Sequence, residues 1–229
     1  MLTLAIECAT ATIGLALLDE EDIRAELYLH SEKHHSEVLL AALDQLFALS
    51  GKTPEEVGLL ACSVGPGSFT GLRIGVSTVK GLALSMSIPV VGVSTLEALA
   101  MNAVATSGPI CPLLDAGNHQ VYAGLYRVGA GGIPCEMKPE ALVDITRFLD
   151  ELEGTGIVFL GDGAVRYGEL MGKSRRGALC DEGRHRLLGS AVGLVGLRKY
   201  RGGSVLDALS LMPRYLRPSK AEMNRPPAD

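Results

Sequence analysis

Two segments of the chain follow the same pattern: an apolar strand, a carboxylate, a short turn of small or polar residues, and a second apolar strand. The first, LTLAIECATATIGLALLD at residues 2–19, carries Glu7 where the first strand ends. The second, ICPLLDAGNHQVYAGLY at residues 110–126, carries Asp115 at the equivalent point. Self-similarity of this kind indicates an internal repeat. The chain is therefore predicted to fold as two related halves.

The elements predicted around the two hairpins follow in a similar order. In the first half, hydrophobic periodicity predicts strands at 2–8, 12–19 and 23–29, a helix at 34–51, a strand at 58–64, a helix at 70–86, a strand at 89–93 and a helix from Ser94. In the second half, the repeated hairpin is followed by a strand at 135–143, a helix from Asp144, a strand at 156–160 and helices near 164–172 and 185–200. The order βββαβα predicts an α/β fold of two duplicated subdomains, residues 1–105 and 106–229, with the second reduced.

Composition excludes several other classes of protein. The chain has 229 residues, of which 47% are hydrophobic, enough for a substantial core. Its apolar runs, such as LLACSVG at 59–65, are far shorter than the roughly eighteen residues that span a bilayer, and its start lacks the basic region of a secretion signal. Five cysteines without a C-x-x-C pair indicate free thiols rather than disulfides or a zinc site. We therefore expect a cytoplasmic protein with no membrane partner.

A glycine-rich stretch, GPGSFTGLRIG at residues 65–75, connects a predicted strand to a predicted helix. Turns of this kind can hold a phosphate, because glycines let backbone N–H groups approach an anion at the start of a helix. The spacing of Gly65, Gly67 and Gly71 fits neither G-x-x-x-x-G-K-[ST] nor G-x-G-x-x-G. Two interpretations remain open: an anion site, or a strand-to-helix turn with Ser68 or Thr70 as its N-cap.

The duplicated unit resembles the actin, sugar-kinase and heat-shock-chaperone ATPase superfamily, in which two such halves clasp ATP. The stretch CSVGPGSFTGLRIGVSTVKGLALSMSIPVVGVSTLEAL at residues 62–99 resembles the same segment of bacterial proteins that make tRNA threonylcarbamoyladenosine. AIECATATIGLALLD, HSEVLL, LLDAGNHQVYAGLY and PRYLRPSKAE extend the match over nearly the whole chain. With these motifs the chain is identified as a member of the TsaB (YeaZ) family.

The resemblance implies a non-catalytic, required subunit in forming N6-threonylcarbamoyladenosine at position 37 of tRNAs that read codons starting with A. It implies a metal-dependent TsaD-type transferase as partner, a TsaE-type ATPase as third member, and only indirect contact with tRNA. Tightly bound cofactors are not expected, while a nucleotide at the subunit junction and a homodimer of the chain alone remain open. The alternative is a small-molecule kinase or ATPase of the same fold that holds magnesium with Glu7 and Asp115.

The catalytic relative differs from this chain at its metal ligands. TsaD-like chains carry V-N-H-x-E-G-H, with two histidines four residues apart on one helical face, a spacing that suits one metal ion. Here residues 93–99 read VSTLEAL, so that Thr95 and Leu99 stand at the histidine positions. Neither side chain offers a nitrogen ligand. We therefore expect neither a metal site nor catalytic residues.

The superfamily's phosphate loops correspond to the turns of the two repeated hairpins. The resemblance marks four positions there as vestigial phosphate-loop positions: Glu7, Thr10, Asp115 and Gly117. The turn Gly161-Asp162-Gly163 places a further acid in the region where the superfamily holds its anionic ligand. Asp162 therefore argues against ATP binding between the two halves.

Two helices of the first half carry residues that suit a partner. The helix at 70–86 contains three glycines, each about 1 kcal/mol less favourable than alanine in a helix interior. Its small residues form two stripes, Gly71, Gly75 and Thr78 on one and Ser77, Gly81 and Ser85 on the other. Such stripes pack either on the chain's own sheet or on another helix; the resemblance favours a partner helix. The predicted partner-binding residues are Leu40 and Phe47 on the first helix and Gly71, Gly75, Thr78 and Gly81 on the second.

Overall fold

The computed structural model describes residues 1–30 and 35–217. The first half contains β1 (Leu2–Glu7), β2 (Thr12–Asp19), β3 (Asp22–His30), α1 (His35–Ser50), β4 (Val57–Gly65), α2 (Phe69–Met86), β5 (Val90–Ser94) and α3 (Thr95–Ala100). After it follow β6 (Ile110–Gly117), β7 (Gln120–Val128), β8 (Pro134–Asp144), α4 (Ile145–Glu151), β9 (Ile157–Leu160), α5 (Asp162–Arg166), α6 (Gly168–Ser174), β10 (Gly177–Leu179) and α7 (Gly189–Arg201). The predicted order of strands and helices is confirmed in the first half. In the second half, β10 was not predicted, and the helix expected near 164–172 is divided into α5 and α6.

The two halves are built on sheets of the same topology. The first sheet has the strand order β3-β2-β1-β4-β5, and the second, taken in the corresponding direction, has the order β8-β7-β6-β9-β10. In each, the first three strands form antiparallel hairpins, and the fourth strand runs parallel to the first. The repeated hairpin pattern of the sequence therefore corresponds to a repeated sheet.

The second half is the smaller of the two in its helices. α1 and α2 have 16 and 18 residues, whereas α4, α5 and α6 have 7, 5 and 7. The last two strands of the second sheet are also short, with four and three residues. This agrees with the predicted reduction of the second unit.

Both faces of the first sheet are covered. Alternate residues of β1 and β2 pack on α1 and α2 on one face, and the intervening residues pack on α3 and α7 on the other. All six residues of β1 are buried, as expected for a strand with helices on both sides. The α3 and α7 layer also contacts apolar residues of the second half, including Leu114 and Tyr126, so one core continues between the two sheets.

The predicted boundary at residue 105 is wrong for the end of the chain. α7 packs on β1, β2, β4 and β5 of the first sheet, although it follows the second sheet in sequence. Beyond α7, Leu206 pairs with Val90 at the edge of that sheet, through backbone hydrogen bonds of 2.9 and 3.2 Å. The physical reason is burial, because the second face of the first sheet needs an apolar helix that the first 105 residues do not supply alone.

Among the described residues, none of the helices combines the length and the apolar character that a membrane crossing requires.

Candidate functional site

A cleft of about 730 Å³ opens between the two halves. The turns of both repeated hairpins reach it, so that Thr10 and Asp115 lie on its wall. Its lining is Ala9, Thr10, Ala11, Gly67, Ser68, Phe69, Thr70, Arg73, Leu114, Asp115, Ala116, Tyr122, Asp162, Arg214, Tyr215, Leu216 and Arg217. The lining combines apolar side chains with a few charged ones, which is typical of a ligand cleft.

The four predicted phosphate-loop positions do not form one site. Thr10 and Asp115 line the cleft, whereas Glu7 is fully buried beneath it, with 0% of its surface exposed. Asp115 accepts hydrogen bonds from the backbone N–H of Gly117 (3.1 Å) and from Arg166 Nη1 (2.7 Å). Gly117 has a φ of +71°, which supplies the left-handed backbone of the second hairpin turn.

Glu7 has few partners for a buried carboxyl group. Its Oε1 accepts from the Ala9 backbone N–H and lies 3.4 Å from Ser63 Oγ, while Oε2 has no partner among the described residues. Burial raises the pKa of Glu7 to about 8, since the charged form loses its hydration. Without a neighbouring cation, Glu7 is therefore largely protonated at neutral pH.

The raised pKa of Glu7 predicts a pH-dependent stability. Between about pH 4.5 and pH 8 the unfolded chain releases this proton and the folded chain keeps it, so the free energy of unfolding falls as pH rises. Glu7→Gln removes the titration and keeps an acceptor for Ala9. We expect the variant to gain about 1–3 kcal/mol over the natural chain between pH 5 and pH 8.5, measured by urea denaturation. Glu153→Gln, at an exposed loop carboxyl, is the control, and a pH-independent difference for Glu7→Gln would contradict the buried titration.

The glycine-rich loop is a strand-to-helix turn packed on the first hairpin. Ser68 is the N-cap of α2, and its Oγ accepts from the Gly71 N–H at 3.2 Å, which confirms one of the two predicted caps. The Ser68 N–H donates to the Ala9 carbonyl at 2.6 Å. A Cβ at position 71 would lie 2.0 Å from the Cys8 carbonyl oxygen, so only glycine fits there. Packing on the hairpin accounts for this glycine without a bound anion.

Asp162 directly follows β9 and lines the cleft. Its Oδ1 accepts from the Asp115 N–H at 2.9 Å, and burial raises the pKa of its carboxyl group. Asp162 therefore stabilises the end of β6 in addition to lining the cleft.

The positions equivalent to a metal-binding histidine pair face the core. Thr95 and Leu99 are both fully buried, and Leu99 belongs to the core that continues between the sheets. Glu97, between them, forms an ion pair with Lys199 of α7. Within residues 1–30 and 35–217, no cluster of three or more His, Cys, Asp or Glu side chains could hold a metal ion.

Only some of the residues predicted to bind a partner lie on the outward face of α2. Gly71 and Gly75 are buried against Cys8 of the first hairpin, so their assignment to a partner surface is wrong. Gly81, in contrast, is exposed, and a Cβ there would meet nothing within 4 Å. Thr78 is half-buried. The outward stripe is the other one, made of Ser77, Gly81 and Ser85.

Exposed leucines lie on both α1 and α2. Leu84 of α2 is 59% exposed, and Leu40 of α1 is 62% exposed. Leu49, at the end of α1, is 75% exposed, while Phe47 is half-buried against the core. Sequence reasoning missed Leu49 and Leu84, although helical periodicity places Leu84 beside Gly81. We call the exposed residues Leu40, Ser77, Gly81, Leu84 and Ser85 the outer helix face; Leu49 is nine residues from Leu40 and lies on the opposite side of α1.

The last described segment was also missed as part of the cleft. Residues 214–217 line the cleft, and the Tyr215 ring stacks on Phe69 with centroids 4.5 Å apart. The sequence signals there were the motif PRYLRPSKAE of the resemblance and the concentration of arginine and tyrosine in PRYLRP.

Comparison with known proteins gives consistent results. A family model described as TsaD, tRNA N6-adenosine threonylcarbamoyltransferase, matches residues 29–157. The tRNA threonylcarbamoyladenosine biosynthesis protein TsaB of Bacillus subtilis is 32% identical over 226 residues, covering 97% of this chain and 96% of that protein. YeaZ from Pseudomonas aeruginosa superposes with a TM-score of 0.80 at 26% identity, over 94% of this chain and 99% of that one.

A ROK-family hexokinase from Thermus thermophilus shares the fold, with a TM-score of 0.51 at 13% identity over 88% of this chain and 100% of that one. The fold predicted from the repeat is therefore confirmed as the sugar-kinase and actin-like type. The similarity to TsaB runs over nearly the full length of both chains, and the matching solved structure has the same architecture. The chain belongs to the TsaB (YeaZ) family of tRNA threonylcarbamoyladenosine biosynthesis proteins.

Proposed function

We propose that this chain is a non-catalytic subunit that pairs with a TsaD-type transferase through the outer helix face and activates it. The observation that carries the proposal is the position of Gly81, exposed at the centre of a helical surface with open space where a side chain would stand. Small residues at such a position let a second helix approach closely. The exposed leucines beside it supply apolar area for the contact.

Both helices of this surface are already anchored on their inner side. Leu39 and Leu46 of α1 and Val76 and Val79 of α2 are buried against the first sheet. The exposed leucines are therefore not needed for the packing of the helices on the sheet. An apolar surface left over after the core is complete favours a binding role.

The cleft residues favour a role without catalysis. The kinase alternative needs two carboxylates that converge on magnesium, but Glu7 is buried and Asp115 is paired with Arg166 at 2.7 Å. Thr95 and Leu99, at the transferase's histidine positions, lie in the core. The catalytic metal in this proposal is supplied by the partner.

The remaining members of the assembly follow from family membership. We propose a TsaE-type ATPase as the third protein, tRNA held by the partner, a nucleotide at the subunit junction and a cytoplasmic complex. When the transferase is missing, the outer helix face is free to pair with a second copy of this chain.

The proposal is tested by reconstitution. The chain, its TsaD-type and TsaE-type partners and an ANN-decoding tRNA are combined, and N6-threonylcarbamoyladenosine at position 37 is measured by mass spectrometry of nucleosides. We expect no modification when this chain is left out and no ATP turnover by the chain alone. Full modification without the chain would contradict the proposal. Magnesium-dependent ATP hydrolysis by the purified chain would support the kinase alternative instead.

A further inference from the structure

We propose that residues 213–217, called the strap below, tie the two halves together across the cleft. The strap follows α7, which packs on the first sheet, and runs along the cleft wall. Its side chains and backbone bind residues of both halves. The inference is independent of the partner proposed above.

Two anchors join the strap to the first half. The Arg214 backbone N–H donates to the Val64 carbonyl at 2.6 Å, at the end of β4. Gly65, with a φ of +124°, leaves room for this contact, since a Cβ there would lie 2.3 Å from the Arg214 carbonyl oxygen. Further along, Arg73 lies over the Phe69 ring at 3.9 Å and donates from Nε to the Tyr215 hydroxyl at 3.2 Å. Together with the stacking of Tyr215 on Phe69, these contacts fix the strap on the first turn of α2.

Two other anchors join the strap to the second half. Arg214 Nη1 donates to Glu140 Oε2 of β8 at 2.8 Å, and Arg217 Nη2 donates to Gln120 Oε1 of β7 at 2.7 Å. The Glu140 side chain is only 1% exposed, and its Oε1 also accepts from Ser94 and Tyr126. A charge-assisted bond to a carboxylate so far from water is among the stronger polar contacts a protein makes.

Successive anchors along the strap bind the first half and the second half in turn. Arg214 binds the first half with its backbone and the second half with its side chain, Tyr215 returns to the first half, and Arg217 reaches the second again. Separation of the halves must therefore break contacts on one side of the strap. α3 also joins the halves through its contacts with β6, β7 and β8.

The test uses one variant for each half, removing one anchor to that half, and measures amide hydrogen exchange in the other half. Arg214→Met removes the bond to the second half, and Tyr215→Leu removes the stacking and the hydroxyl on the first half. If the strap holds the halves together, Arg214→Met speeds exchange in residues 66–73 and Tyr215→Leu speeds exchange in residues 115–120, each by about tenfold or more. Arg201→Met is the matched control, because Arg201 pairs with Glu20 and Glu21 inside the first half.

A double variant separates strap release from the effect of a buried, unpaired charge. Arg214→Met with Glu140→Gln leaves no carboxylate without its cation, and we expect it to keep the faster exchange in residues 66–73. Loss of the effect in the double variant would overturn the proposal. Changes in exchange confined to the side of each substitution would overturn it as well. Tyr215 is 38% exposed, so Tyr215→Leu keeps that test available if the arginine variants do not fold.

Discussion

Gly81→Leu is expected to weaken binding of the TsaD-type subunit by about 2–4 kcal/mol, roughly 30- to 1000-fold in Kd, while the chain alone keeps its stability. The proposed function places Gly81 where a partner helix approaches most closely, and a leucine there holds the two helices apart. In the isolated chain the new side chain enters open space, because a Cβ at position 81 has no neighbour within 4 Å. The affinity is measured by calorimetry and the stability by thermal denaturation.

Gly172→Leu is the matched control for that prediction. Gly172 lies in α6 of the second half, and a Cβ at this position also meets nothing within 4 Å. We expect the control to bind the partner normally. Normal binding by Gly81→Leu would show that the outer helix face is not the pairing surface. Equal loss in both variants would point to an effect of the leucine itself.

Gly71→Ala and Gly81→Ala are expected to shift the stability of the chain in opposite directions. Both replace a glycine of α2 with the same residue, and the added methyl group favours the helix by about 1 kcal/mol in each case. At position 81 that gain remains. At position 71 the new Cβ would lie 2.0 Å from the Cys8 carbonyl oxygen, a clash that we expect to destabilise the fold by about 3 kcal/mol.

The two alanine variants are compared by urea denaturation at one pH. For a chain of this size, each kcal/mol corresponds to roughly 2–4 °C in Tm, so thermal denaturation gives a second measurement. A stable Gly71→Ala variant would mean that the first hairpin does not press on α2 as described. A destabilised Gly81→Ala variant would place Gly81 in a packed environment and contradict the open outer face.

Local patterns predicted the elements of this chain well, because strand alternation, helical periodicity and capping depend on neighbouring residues. The pair of repeated hairpins and the Ser68 cap were recognised in this way, and both are present. The replacement of a histidine pair by Thr95 and Leu99 was equally visible, since it is a matter of side-chain chemistry. The carboxylates at the hairpin ends were also identified from the sequence. That Glu7 is buried while Asp115 lines the cleft was not.

The errors concern residues whose surroundings are supplied from elsewhere in the chain. Periodicity found two small stripes on α2 but could not orient them, because the Cys8 carbonyl that presses on Gly71 belongs to the first hairpin. The boundary at residue 105 failed because α7 returns to the first sheet after the second is complete. In both cases the buried side of a helix is determined by contacts with a segment far away in the sequence.

The sequence by itself determined the family, the duplicated order of elements and the absence of the transferase's histidine pair, since these depend on residue types and on their local spacing. Only the tertiary structure decided which glycines of α2 are buried, where α7 packs and how residues 213–217 cross the cleft. Those features are contacts among β1, β8, α2 and the end of the chain. No local pattern encodes such contacts, because each partner's position is set by the packing of the whole fold.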